Sequence, residues 1–487
     1  MSKARDIADS TTTLDVDGGT IKLDGNYPVG NNNVALGNAA LDSNVSGAAI
    51  IAIGAEALTA STAASGSVAV GYRAAYSTTT GTNNLAVGNQ SLLSNTTGQN
   101  NIAVGPLALY NSTGNNNTSI GANSLQSNTT ASYNTAVGYQ AMLDNTTGQF
   151  NVGLGQMALA NNTTADSNTA MGYQAGNLNT TGANNTVIGF QCFEDNTTGA
   201  FNVAMGAKAL ASNTTAAANT AVGYQALTTN TTGGDNAAFG YQAAQSNTTG
   251  DYLTAIGRQA LYNNTTGIDN TAVGYQAGYS NTTNSYNTYL GDHAGYYTTS
   301  TRNTFLGHAS GESMTTGERN TILGRFSGNL GGLDIRTSSN NIVLSDGDGN
   351  PRVWINGSGY IHSVPTYNNT TGAGANLHVE SSGQFVRSTS SLRYKNTVTD
   401  ATHGLTELMT LRSVTYKGNN DGDTVFGGLI AEEVHDAGLT EFVQYNDEGQ
   451  PDALAYSNMV SLCIKAIQEQ QATITALTDR ITALEGA

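Results

Sequence analysis

Charge is scarce in this chain of 487 residues: Asp, Glu, Lys and Arg make up 11%, against about a quarter in ordinary soluble domains. Bases are scarcest, with 18 Lys and Arg against 35 Asp and Glu and a formal net charge of -17. Between Gly37 and Gly324 only Arg73, Lys208, Arg258, Arg302 and Arg319 occur. No basic stripe follows a phosphate backbone or an anionic lipid surface, so nucleic acid is not expected as a partner and anionic membrane is a poor one. The two cysteines, Cys192 and Cys463, stand far apart without a partner pattern, so neither a disulfide framework nor a metal site is expected, and no cofactor motif is present. Long apolar runs are missing too. No window approaches 18 uninterrupted apolar residues, and no apolar segment follows Met1-Ser-Lys-Ala-Arg-Asp-Ile-Ala-Asp. We therefore expect synthesis in a cytoplasm, no membrane insertion, and no export by the general secretory route.

Glycine fills part of the space. Eighteen glycines, from Gly37, Gly54, Gly71 and Gly88 to Gly291, Gly307 and Gly324, recur every 17 residues, slipping to 16 only at Gly105 to Gly121 and Gly291 to Gly307. So short and strict a period predicts a solenoid whose coils bury their apolar faces only against neighbours.

The segment Asn134-Thr-Ala-Val-Gly138-Tyr-Gln-Ala-Met-Leu-Asp-Asn145-Thr-Thr-Gly148 shows the unit. A large apolar residue precedes each marker glycine, as at Ile53, Val137, Met171, Phe239 and Leu306, and a small one stands three after it, as at Ala141, Ala175, Ser91 and Cys192. The apolar runs between Asn-Thr-Thr-Gly turns predict two short strands and two turns per coil, stacked in parallel register with ladders of Asn and Thr. The small-residue stripe exceeds what a thin coil needs inside, so we expect it to pack against other chains in a homotrimer. Cys192 sits in that stripe and reads as a buried packing residue. Tyr72, Tyr139, Tyr173, Tyr224, Tyr241 and Tyr275 follow their glycines directly; they suit sugar stacking or, the favoured reading, a cover for the coil edge. The Asn-x-Thr triplets are read as turn chemistry before glycosylation acceptors.

The unit resembles the head repeats of trimeric autotransporter adhesins and, more closely, the Asn-Thr-Ala-Val-Gly-Tyr-Gln-Ala repeats of tailed-phage fibres. The resemblance covers about residues 31–328 and implies a trimeric fibre. By that analogy residues 1–30 form a particle-attachment segment containing a hairpin.

After Gly324 the period stops. The stretch from Asn341 to Ile355 reads as a hairpin with an acidic loop at Asp346, Asp348 and Asn350. That loop looks like half of a calcium-binding EF-hand loop, but Pro351 and Gly357 stand where the glycine and the closing glutamate should be, so no calcium is expected. Residues 329–389 read as a β-rich connector, Tyr367 to Ser388 being a linker or a last strand pair.

From Thr389 the composition changes, and helical spacing returns with basic residues, predicting a separate α/β module. The segments Thr389-Ser390-Ser391-Leu-Arg393-Tyr-Lys395-Asn, Phe426-Gly-Gly-Leu-Ile-Ala-Glu-Glu-Val and Ala453-Leu-Ala-Tyr456 resemble the intramolecular chaperone domain of phage fibres and tailspikes, the S74 peptidase family. The resemblance implies a Ser-Lys dyad, Ser390 and Lys395, that cuts the chain between Thr389 and Ser390. Ser391 stands where the family has Asp, which leaves Ser390 and Ser391 both open as nucleophile. The lysine can act as base only if its amine is neutral near pH 7, which needs a pKa about three units below roughly 10.4; Arg393 is the neighbouring charge that could assist. His403 and His435 are alternative bases, with structural roles expected for both.

The last segment repeats in heptads. Val460, Ile467, Ile474 and Ile481 occupy one core position and Cys463, Gln470, Leu477 and Leu484 the other, predicting a coiled coil over residues 459–487 after a chaperone domain at 390–458. Together these readings predict a mainly β protein: a homotrimeric phage tail fibre on the virion, attached to a tail or baseplate. It meets a host cell-surface glycan or protein receptor, and its chaperone trimerises and then cleaves itself away. A bacterial trimeric surface adhesin is the alternative; it would need an export signal and a membrane barrel, which are not expected from this sequence. A glycan-cleaving tailspike would want paired carboxylates, and the shaft's Glu194-Asp195 and Asp235 form no visible pair.

Overall fold

The computed structural model describes residues 32–362, 377–379, 385–387, 397–419, 422–446 and 448–486. These form two compact units, one running to Thr370 and the other from Thr371.

The first unit is a parallel β-solenoid. Eighteen three-residue strands, β1 (Val34–Leu36) to β18 (Thr321–Leu323), lie in one sheet in chain order. Residues pair 17 apart, as Thr135 with Val152, and 16 apart at the two short coils, Ile102 with Thr118 and Thr288 with Thr304. The missing residue comes out of the Asn-Thr-Thr-Gly turn, which shrinks to Ser112-Thr-Gly and Thr298-Thr-Ser, so strands and glycines stay in column. All 18 marker glycines have φ between +106° and +142°. A Cβ on Gly189 would also lie 2.6 Å from the carbonyl oxygen of Gly206 in the next coil. Conformation and close approach both require glycine there.

Each coil has one strand, not the expected two. The segment after the glycine is a run of turns in which the second and fourth residues take positive φ, as at Gln140 (56°) and Met142 (53°). Its amides bond in both axial directions: Gln140 N–H donates to Ala122 O at 3.0 Å and Met142 N–H to Ala158 O at 2.9 Å. The physical reason lies in residue type. None of the eighteen coils has Val, Ile or Thr in the four positions after the glycine, so the β-branched residues that favour extended backbone are missing from that side.

Pleating sends the middle residue of each strand inward and its neighbours outward. Ala136, Ala170, Ala221 and Ala255 are therefore fully buried, together with the small residue three after the glycine (Ala141, Ala175, Cys192) and the large one after it (Met142, Phe193, Leu227). The small-residue stripe is thus the interior of the coil itself and not, as expected, a surface for packing chains together: a coil this thin leaves room for little more than alanine opposite a leucine. Where the strand residue grows, the facing one shrinks. A Cβ on Gly278 would meet the ring of Tyr289 at 2.5 Å, and Gly295 and Gly311 likewise make room for Tyr289 and Phe305. Burial pushes the Cys192 thiol up to about 12, against weaker hydrogen bonding to backbone, so it is an inert packing group.

Polar ladders run through the same interior. The turn asparagines from Asn128 to Asn281 are all buried, each from Asn145 on donating Nδ2–H to Oδ1 of the one before, as Asn145 to Asn128 at 2.9 Å and Asn281 to Asn264 at 2.9 Å. A second column precedes the strands: Asn134 Oδ1 accepts the Asn151 amide at 2.9 Å while its Nδ2 donates to Gly148 O at 2.9 Å. Threonines form a third, with Thr146 Oγ1 donating to Thr163 O at 2.9 Å. Such bonds contribute about 1 kcal/mol net each, and they act between neighbouring coils only. The first ladder ends at the second short coil, where Thr298 replaces asparagine and leaves Asn281 Oδ1 buried without a protein partner.

Past β18 a hairpin, β19 (Asn329–Leu330) and β20 (Leu333–Asp334), bulges out. Strand β21 (Ile342–Ser345) then adds a last parallel rung, Thr321 pairing with Ile342. It also forms the expected hairpin with β22 (Pro351–Ile355), and β23 (Ile361–His362) pairs antiparallel with β22.

The second unit begins with an antiparallel pair, β24 (Leu377–Val379) and β25 (Phe385–Arg387), which is the last strand pair anticipated for this stretch. It continues through helix α1 (Leu405–Leu408), hairpin β26 (Val414–Tyr416) with β27 (Phe426–Gly428), helix α2 (Ala431–Asp436), hairpin β28 (Val443–Tyr445) with β29 (Pro451–Leu454), and the 30-residue helix α3 (Tyr456–Glu485). Its core is small: Val434, Leu439, Phe442, Val443, Met459 and Leu462.

Candidate functional site

Thr389, Ser390, Ser391, Arg393 and Lys395 lie outside the described residues, as do residues 1–31. What is described around the proposed cleavage segment is the module that follows it. His403 Nδ1 meets Glu441 Oε1 at 2.7 Å, and this hydrogen bond, ahead of a small opposing burial effect, raises the imidazole pKa above its usual value. His435 Nδ1 meets the Tyr445 hydroxyl at 2.9 Å, with the rings edge to face. Both histidines therefore hold elements of the module together. Tyr456 does the same: its hydroxyl accepts the Leu429 amide at 2.7 Å and donates to the Leu429 carbonyl at 3.2 Å.

Helix α3 has two apolar faces. Met459, Leu462 and Ala466 are buried in the module. All eight heptad core residues, Val460, Cys463, Ile467, Gln470, Ile474, Leu477, Ile481 and Leu484, are exposed. Glu469 ties the helix to α1 by accepting the Leu405 amide at 2.8 Å. β-branched and leucine side chains therefore form a stripe at heptad spacing along the exposed face of the helix.

The solenoid carries a second exposed apolar surface, in a different column from the small residues expected to pack against other chains. The residue before each glycine points outward, so Ile53, Ile120, Met171, Phe239, Ile256, Leu306 and Leu323 stand half-exposed in one row, with exposures of 36–46%. The row runs the length of the sheet, roughly 85 Å at the 4.8 Å strand spacing. Strand alternation was the available signal: with alanine at the middle of Thr-Ala-Val, the flanking valine has to face out.

The tyrosines after the glycines are exposed at the coil edge, 44% at Tyr72 and 45% at Tyr224. Their rings stack on one another, Tyr173 on Phe190 at 5.4 Å and Tyr224 on Tyr241 at 5.3 Å with planes 12° and 17° apart. Arg258 sits over both Tyr241 and Tyr275. Beside them Gln225, Gln242, Gln259 and Gln276 form a surface ladder with bonds of 3.0, 3.0 and 2.9 Å. In these two stacks each ring gives one face to its neighbour, which supports a role in covering the coil edge.

The acidic hairpin loop is closed on itself. Asp346 Oδ1 accepts the amides of Asp348 and Asn350 at 3.0 and 2.9 Å, and Oδ2 pairs with Arg352. Desolvation alone would raise this carboxyl, but the hydrogen bonds from Asn350, Arg352 and Asp348 together outweigh it and hold its pKa at about 2. Its oxygens are engaged by turn and guanidinium donors, and among the described residues no group of three or more His, Cys, Asp or Glu is placed to hold a metal. No described helix is long and apolar enough to cross a membrane.

Comparison with known proteins returned no matching family model, no similar curated protein and no similar solved structure.

Proposed function

We propose that the chain is a homotrimeric fibre of a phage tail or a related receptor-binding appendage. The solenoid is the shaft, and the C-terminal module aligns three chains. The observation that carries this is the pair of unpartnered apolar seams, the outward row before the glycines and the outward face of α3. Monomeric proteins seldom expose one apolar strip of this length. Burying the remaining exposure of eighteen such side chains would stabilise an assembly by on the order of 10 kcal/mol per chain. Both seams are uncharged and self-similar along their length, so another copy of the same chain is the partner they fit.

In this reading the terminal module also limits itself. Lys395 as a neutral amine takes the Ser390 hydroxyl proton, the hydroxyl oxygen attacks the Thr389 carbonyl, the C–N bond breaks as the Ser390 nitrogen leaves with the proton from Lys395, and water hydrolyses the resulting ester to a Thr389 carboxylate and the free Ser390 hydroxyl. This part rests on the Ser390–Lys395 spacing and the family resemblance, with no family model behind it. Light scattering of the purified chain tests the assembly: a particle of three times the 50.1 kDa chain mass is expected, falling to monomer when Ile474 and Ile481 are replaced by Asp. Gel analysis tests the cleavage. Fragments 1–389 and 390–487 are expected from the wild type and an intact chain from Ser390→Ala, while an intact wild-type trimer would leave an assembly module without protease activity.

A further inference from the structure

The far end of the solenoid differs chemically from the rest of it. Along the coils the surface beside the apolar row is mostly Asn, Thr, Gly and Tyr, but beyond β18 the chain's single tryptophan, Trp354, comes together with arginine, aspartate and histidine around a cleft of about 440 Å³ lined by Leu333, Asp334, Pro351, Arg352, Trp354 and His362. Hairpin β19–β20 makes one wall and strands β22 and β23 the other. That volume lies toward the small end of the 300–1,000 Å³ typical of small-molecule sites.

The walls are held in place from behind. Trp354 packs on the solenoid core, and its Nε1–H donates to Asn341 Oδ1 at 3.2 Å. His362 stacks on the indole with centroids 4.3 Å apart and planes 22° apart. Arg352 is anchored through Nε–H to Asp346 Oδ2 at 3.0 Å and through one Nη, which leaves three of its five N–H donors free. Asp334 receives Arg336 through Nε at 3.0 Å and Nη2 at 2.7 Å, plus the Arg336 amide at 3.1 Å, which leaves acceptor capacity on the carboxylate.

The cleft thus offers the stacked Trp354–His362 pair as an aromatic wall, a guanidinium donor and a carboxylate acceptor, with lining charges that cancel. An anionic ligand would meet Asp334, and an apolar one would cover the remaining donors of Arg352 and acceptor sites of Asp334 without bonding them. A ring carrying several hydroxyls satisfies all three walls, since each hydroxyl both donates and accepts. We infer that this cleft is a saccharide-binding site for a neutral pyranose at the end of the shaft. The inference rests on the receptor-binding reading and gives that reading a location and a ligand class.

Trp354 is its own reporter. Full-length protein is titrated with a panel of neutral mono- and disaccharides (glucose, galactose, mannose, N-acetylglucosamine, lactose, maltose) while indole emission is followed. At least one sugar should give a saturable change, weakened at least tenfold in Arg352→Ala and in Asp334→Asn. Circular dichroism checks that both variants keep the wild-type fold, and His362→Ala provides a third variant should either fail. Emission unchanged across the panel overturns the site, as does a response of the same affinity in the variants. A bacterial surface-glycan array and adhesion to a panel of bacterial cells separate the two ideas. Binding there that persists in the variants overturns the cleft and leaves receptor binding standing, while no binding to array or cells by the wild type overturns the receptor reading itself.

Discussion

The two units bury opposite kinds of side chain. Among the described residues every buried polar side chain belongs to the solenoid, where asparagine recurs inside nearly every coil, whereas the buried set of the second unit is Val434, Leu439, Phe442, Val443, Met459, Leu462 and Ala466. The difference follows from what each interior has to specify. In a coil too thin for a large apolar core, axial hydrogen bonds between like side chains supply cohesion, and each bond is satisfied only by the next coil. That arrangement repeats, so a coil displaced by 17 residues finds almost the same partners. The second unit has no repeat and one way to pack. A chain that must align with copies of itself gains a unique register only from such a part.

Replacing a marker glycine breaks the comparison most sharply. Gly189→Ala puts a Cβ against the Gly206 carbonyl at a φ of +142°, so backbone strain and overpacking combine to about 4 kcal/mol. Gly438→Ala in the second unit has φ +79° with nothing within 4 Å of the added Cβ, and strain alone of about 1 kcal/mol is expected. Calorimetry of the full chain should show the first substitution lowering the solenoid transition strongly and the second moving the other transition slightly. Equal shifts would mean that the glycine column is not what sets coil spacing.

Cutting one rung of the asparagine ladder comes next in size. Asn196 donates to Asn179 Oδ1 at 2.6 Å and accepts from Asn213 Nδ2 at 2.9 Å. In Asn196→Ala both neighbours lose a partner in a buried site, a cost of about 2–4 kcal/mol. Because coils touch only their neighbours, faster amide exchange should stay within the coils around residues 179–213. Loss of protection along the whole shaft would show that the solenoid unfolds as one block.

Much of the solenoid was legible in the sequence, and the error in it is instructive. The glycine period announced parallel stacking, and the repeated Asn and Thr announced ladders, because identical side chains one coil apart leave few other arrangements. Reading Gln-Ala-Met-Leu as a second strand rested on its apolar content alone, when the absence of any β-branched residue there was the stronger signal. The same slip put the small residues outside. Had Thr135-Ala136-Val137 been taken as the only strand, pleating would have sent Ala136 in and Val137 out. The cleft at Trp354 was not readable, since its walls come from β20, β22 and β23, which meet only after the chain reverses twice. The proposed Ser390–Lys395 dyad stands on spacing and resemblance, since both residues lie outside the described structure.

The smallest expected difference between the units is their response to pH near neutrality. The Glu441 carboxylate raises the folded-state pKa of His403 above the unfolded value of about 6.5. The protonated histidine is thus bound more tightly in the folded state, so its stabilising contribution is fully present below pH 6.5 and is lost as pH rises through the raised value. In the first unit the hydrogen bond from Arg336 holds Asp334 below its usual value, and Asp346 is held at about 2. Their contributions are present above the unfolded value of about 3.9 and are lost only as pH falls below it, toward 2 for Asp346. Thermal melts from pH 6 to pH 8 should therefore show the second unit's transition falling slightly while the solenoid's stays level, and Glu441→Gln should flatten the former. A second-unit transition that instead rises with pH across that interval would show that a different group governs it, since a histidine bound to a carboxylate can only move it downward.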